Sequence, residues 1–240
     1  MLILEKVNYM KVDELLKTRE NRNLRGYKCM DNFIKMSGPC IDMAEKISQK
    51  KYEYTTDFLI ERSIIITYVS AVEVFYKDYL NLILHICKKD FVQKNLKELH
   101  QNKYDINDLI QIYKHEINPY ELVSSNISFQ NIESIDKVFS KFLNKKGFWT
   151  SLDGMKIRFN KDDNKQAHFQ PEYINSLKNI FQLRHELVHD PAKTNFLNKN
   201  IIKDLDNSIF CIIFSNIILN NIINDNFETN RDSLNHINLA

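Results

Sequence analysis

Apolar residues return every three or four positions along most of the chain, and the longest such run covers residues 56–88. Ile65, Tyr68, Val72, Phe75, Tyr76, Tyr79 and Ile83 define its wide apolar face, which predicts a central core helix with Asp57 at its N-cap. Residues 201–223 repeat the pattern through Ile202, Leu205, Ile209, Ile212 and Leu219. Between these runs the periodicity breaks into shorter predicted helices at 91–99, 106–117 and 132–143, interrupted by Pro119 and by the polar stretch 124–131. The MKIRF stretch, 155–159, alternates apolar and basic residues and leads into polar NKDDNK, which predicts a small hairpin or an irregular excursion. Ahead of the long run, 12–35 and 39–51 read as two helices parted at Ser37-Gly38-Pro39.

A further amphipathic helix is predicted over 171–191, PEYINSLKNIFQLRHELVHDP. Pro171 suits a first helical position, where its missing N–H would have no partner, and Pro191 forbids continuation beyond Asp190. Ile174, Leu177, Ile180, Leu183 and Leu187 turn one stripe toward a core, and Arg184, His185, Glu186 and His189 crowd the last turns. The short connection to 201–223 predicts that these two helices pack antiparallel.

Composition narrows the class. At 240 residues and 43% hydrophobic, the chain supports one sizeable core, so a single domain over 1–240 is expected. Four glycines and four prolines are too few for the turns of an all-β fold, and an all-α architecture follows. A formal net charge of +2 leaves nucleic-acid contact to local basic patches. Two are candidates: Arg19, Arg22 and Arg25 with Lys50-Lys51, and Lys156, Arg158, Lys161 and Lys165 diluted by Asp162 and Asp163; solvated surface is the competing account of both. Cys29, Cys40, Cys87 and Cys211 lack C-x-x-C spacing and sit among apolar neighbours, as small core residues do. Glu5 and Lys6 come too early for a signal peptide, the apolar run 209–219 is short for a bilayer, and 64–84 carries Glu73, Lys77 and Asp78. A soluble cytoplasmic protein with no membrane association is the expectation.

Two motifs overlap at the end of the 171–191 helix. His185, Glu186 and His189 form His-Glu-x-x-His, the pattern of zinc peptidases, in which both imidazoles bind metal and the glutamate serves the metal-bound water. Arg184 and Asp190 place charge around that pair, and Asp204 and Asp206, the downstream carboxylates available as a third ligand, fall in a helix assigned to packing. Arg184 and His189 form Arg-x4-His. A guanidinium holds phosphate oxygens in a fork and an imidazole gives or takes a proton near neutral pH, which is what RNA transesterification requires without a metal. Positions five apart lie about 140° apart around a helix, so the two groups converge only where the helix stops, at Asp190-Pro191. Glu73, within the apolar face of the long helix, is either an exposed edge residue or a carboxylate that salt-bridges Arg184.

With FQLRHELVHD closing a helix, SAVEVFYKDYLNLIL earlier and a long apolar helix after it, the chain resembles a HEPN domain over about 56–226. The resemblance implies an all-α HEPN-like antiparallel helical bundle, with its core at about 56–89 and 170–226, added helices in 1–55 and a helical or irregular insert at about 90–169. It implies a metal-independent endoribonuclease, without cofactor, acting on RNA as a homodimer whose motifs face each other in a cleft, and serving as a toxin or antiviral defence effector. Arg184 and His189 would be catalytic with His185 beside them, and Glu73, Glu186 and Asp190 supporting. An antitoxin or defence-system partner is also implied; members paired with a nucleotidyltransferase antitoxin carry a tyrosine two positions after the histidine, where this chain has Pro191. The alternatives are a non-catalytic helical interaction module, with His189 merely favourable at the negative end of a helix dipole, and a zinc peptidase using His185 and His189.

Overall fold

The computed structural model describes residues 12–49, 57–99, 106–144, 146–158, 166–190, 192–194 and 196–228. Among these, helix dominates: α1 (Val12–Arg25), α2 (Cys29–Gln49), α3 (Asp57–Ile86), α4 (Lys89–Leu99), α5 (Ile106–Lys114), α6 (Pro119–Ser125), α7 (Ile132–Phe139), α8 (Pro171–His189) and α9 (Lys199–Asn226). A single antiparallel hairpin, β1 (Lys156–Arg158) with β2 (Gln166–His168), pairs Ile157 with Ala167. The NKDDNK stretch between its strands lies outside the described residues.

Side-chain pairs along α3, α8 and α9 fix their directions. Tyr68 bonds Ser208 (2.6 Å), Tyr76 bonds Ser215 (2.9 Å), and Tyr79 reaches Asn216 (2.5 Å) and Asn220 (3.0 Å), so α3 and α9 run parallel. In α8 and α9, Tyr173 stacks on Phe210 (5.3 Å), Asn207 donates to Ser176 (3.1 Å), and Asn179 donates to Asp204 (3.0 Å), indices that change in opposite directions. These two helices are therefore antiparallel, as the short connection predicts, and α8 runs antiparallel to α3. Buried hydroxyls need such partners, because leaving one unbonded costs about 1–3 kcal/mol. The ends of α3 and α9 are also tied, by Lys88 N–H to the Asn226 carbonyl (2.8 Å) and Glu228 N–H to the Ile86 carbonyl (3.0 Å). By length and composition α9 is apolar enough to cross a membrane; here Leu205, Cys211, Ile212, Phe214 and Leu219 are buried in the core.

The insert between α3 and α8 leaves and returns at one end of the bundle, and it is not a separate body. Phe129, Phe139 and Phe148, all fully buried, surround Tyr76 of α3 at 5.9, 5.7 and 6.3 Å. The insert contains α6, which the proline pattern reads as an interruption. Asn118 caps it in a reciprocal box with Glu121, and Pro119 occupies its first turn, where proline initiates rather than breaks a helix.

The N-terminal segments divide differently from expectation. The break falls at Gly26, whose φ of +64° ends α1 in the left-handed region that glycine tolerates. Ser37-Gly38-Pro39 lies inside continuous α2. An interior proline costs about 3 kcal/mol, and burial of Phe33, Cys40, Ala44 and Ile47 along α2 offsets it.

Candidate functional site

α8 follows Gln170 at its N-cap, with Pro171 in its first turn, and buries Ser176, Leu177, Ile180, Phe181, Leu183 and Leu187. Residues step about 100° around a helix. Arg184 therefore lies half-buried at one margin of this stripe, with His185 and His189 turned about 100° and 140° from it onto the open face. Val188, 49% exposed, falls between Arg184 and the two histidines around the helix. The two imidazoles sit one turn apart, with ring centroids 4.5 Å apart and planes inclined by 56°. Neither ring has a hydrogen-bond partner among the described residues.

Arg184 reaches the insert. Its Nη1 donates to Gln130 Oε1 at 3.4 Å, and Gln130 Nε2 donates to Glu73 Oε2 at 3.2 Å. Glu73 is also paired with Lys77 one turn along α3 (3.2 Å). The direct Glu73–Arg184 ion pair, one of the two readings the sequence leaves for Glu73, is replaced by an amide bridge, because residue 130 of the insert comes between α3 and α8. Among the described residues no hydrogen bond joins Arg184 to His189, and His185 stands between them around the helix.

The end of α8 is fastened by a residue that the motif does not flag. Arg62, near the start of α3, donates to the Leu187 carbonyl, to the Asp190 carbonyl (3.0 Å) and to the Lys193 carbonyl (3.5 Å). The last carbonyls of a helix need outside donors, and an arginine near the start of an antiparallel neighbour stands at the right height. That is the signal which could have found it. Asp190 closes the turn by accepting from the Ala192 N–H (2.9 Å); Pro191 lies outside the described residues. Glu186 takes the Lys193 ammonium and the Gln182 amide (3.0 Å), which together hold its carboxyl below the usual range.

These contacts bear on the metal alternative. Glu186 is engaged by Lys193 rather than left beside the imidazoles, and Asp204 accepts from Asn179, roughly 9 Å along the helix from His185. Among the described residues no group of three or more His, Cys, Asp or Glu could hold a metal ion.

Four of the other basic candidates are committed elsewhere. Arg19 and Arg22 both bind Glu121 (2.5 Å each), and Arg25 binds Asp78 (2.8 Å). Arg158 lies 3.0 Å from the Gln166 amide oxygen across the hairpin, in the amide orientation that satisfies both groups. Lys161 and Lys165 lie outside the described residues, as do Lys50 and Lys51. Compared with protein-family models, curated proteins and solved structures, the chain matches none.

Proposed function

We propose that this chain is a HEPN-type endoribonuclease that cuts RNA by internal attack of a 2′-hydroxyl, without needing a metal, and acts as a homodimer in toxin or antiviral defence. One observation carries the proposal. Among the described residues, Arg184 is met by a neutral amide and not by a carboxylate, beside two exposed imidazoles without hydrogen-bond partners. A guanidinium so placed keeps its full charge for phosphate oxygens, unlike Arg19, Arg22 and Arg25.

The chemistry follows from these groups. One imidazole takes the 2′-hydroxyl proton as that oxygen bonds to phosphorus, and the other gives a proton to the departing 5′-oxygen. The products are a 2′,3′-cyclic phosphate and a 5′-hydroxyl. His189 and His185 are assigned these two proton transfers. Arg184 stabilises the charge that builds on the non-bridging oxygens.

Purified protein incubated with single-stranded RNA and a chelator is expected to cleave it. His189→Ala and Arg184→Ala should each lose about 10²–10⁴-fold in rate, with His185→Ala reduced as well. Cleavage abolished by the chelator and restored by zinc overturns the metal-independent reading. No cleavage by the native chain overturns the nuclease. Growth arrest on expression of the native chain, and none with His189→Ala, is the outcome expected of an effector.

A further inference from the structure

We infer that Gln130 is the positioning residue for Arg184, holding the guanidinium in place while leaving its charge uncompensated, and so sets the affinity of the α8 end for a phosphodiester. This rests on the nuclease reading above.

Gln130 belongs to no motif and lies in the insert, in the loop between α6 and α7. Its backbone is pinned on both sides. Phe129 before it is fully buried, stacked on Phe139 (5.5 Å, 20°) and tilted against Tyr76 (5.9 Å). Asn131 after it caps α7 by accepting from the Ser134 N–H (2.7 Å). Tyr76 lies three residues beyond Glu73, so the anchor that fixes Phe129 also sets residue 130 opposite Glu73. A side chain anchored in this way loses little entropy when it orients a neighbour.

A primary amide is the group that suits this position. Its NH2 donates to the Glu73 carboxylate and its oxygen accepts from Arg184, so one neutral residue satisfies a carboxylate and a guanidinium. Glu73 is already matched by Lys77. A carboxylate at 130 would be repelled by Glu73 and would neutralise Arg184 against RNA. An alanine would leave the guanidinium free to rotate.

Two readouts test this. The first is rotation about the Arg184 Cζ–Nε bond in 15N-labelled full-length protein, followed by NMR and assigned by loss of the signal in Arg184→Lys. Gln130→Ala should speed this rotation, with the melting temperature unchanged because residue 130 is exposed. The second is binding of a single-stranded RNA oligonucleotide, measured in a His189→Ala background to prevent cutting. Gln130→Glu should weaken it at least tenfold. Glu73→Gln combined with Gln130→Glu should keep rotation slow without restoring RNA affinity, because both hydrogen bonds can form while the neutralising charge stays. In cleavage assays Gln130→Glu should raise KM more than it lowers kcat. Unaltered rotation in Gln130→Ala, or native RNA affinity in Gln130→Glu, overturns the inference. A native chain that neither binds nor cuts RNA overturns the nuclease reading instead, and the rotation measurement still decides whether Gln130 holds Arg184.

Discussion

Glu121, with a side chain 10% exposed, sits between the Arg19 and Arg22 guanidiniums, and Arg22 in turn bonds Asn81 of α3 (3.1 Å). With the Arg25–Asp78 pair, these contacts join α1 to α3 and α6 through charge. Burial alone pushes the Glu121 carboxyl up, but the two arginines outweigh it and hold the group below its ordinary value of 4.5. A carboxyl whose folded pKa is depressed contributes fully above the unfolded value and loses that contribution as pH falls through the folded one. Glu121→Ala should therefore destabilise the chain by about 3 kcal/mol at pH 7, because it strands buried Arg22. The difference from the native chain should shrink below about pH 4.5. Urea unfolding of both proteins from pH 7 to pH 3 checks this, and a pH-independent gap would refute it. The arginine cluster shows what a sequence hides. Its spacing suggested phosphate contact or a solvated face, whereas its partners lie 53 to 102 positions away, beyond the reach of local pattern. Arg184 and the histidine pair were legible because they are neighbours on one helix; Gln130 and Arg62 were not, because the fold alone brings them there.

Single elements were legible where their ends are decided locally. α8 starts at Pro171 and stops at His189, with Asp190 as its cap, because proline and the capping turn act within a few residues. α2 shows the converse. Gly38 and Pro39 are strong local breakers, yet tertiary burial of their neighbours keeps the helix continuous across them. α5 departs in another way: its apolar period predicts burial, but Ile106, Leu109, Ile110 and Tyr113 are all exposed. If packing holds α2 together against its own sequence, then relieving one breaker should stabilise the protein without new contacts. Gly38 has a helical neighbourhood, no positive φ, and nothing within 4 Å of an added Cβ. Gly38→Ala should gain about 1 kcal/mol, or roughly 2–4 °C in melting temperature for a domain of this size. Calorimetry decides it; an unchanged or lower midpoint would mean that α2 needs glycine at that position.

At the scale of the molecule, the parallel pairing of α3 with α9 determines what the end of α8 presents. The insert returns the chain to the end of the bundle where it left, α8 runs back beside α3, and its C-terminus arrives at the Arg62 end of that helix. A predominantly helical fold was readable from composition and period, but this circuit was not, since nothing local states at which end a long insert comes back. The circuit leaves Arg184 and His189 on one exposed end but about 140° apart, with Arg184 drawn toward Gln130 and the His189 ring tilted against His185. Within a single chain no hydrogen bond joins the two groups among the described residues. Two copies meeting through this end, as the homodimer proposal requires, would bring Arg184 of one against His189 of the other. The consequence is a complementation test. Arg184→Ala and His189→Ala proteins, each inactive alone, are mixed, dissociated and reassociated in equal amounts. If the functional groups combine across the interface, the mixed dimers carry one intact site, and the mixture should regain about a quarter of native activity, from half the dimers at half strength. Sites completed within each chain give no recovery, which would overturn the paired arrangement while leaving Arg184 and His189 as the cutting groups.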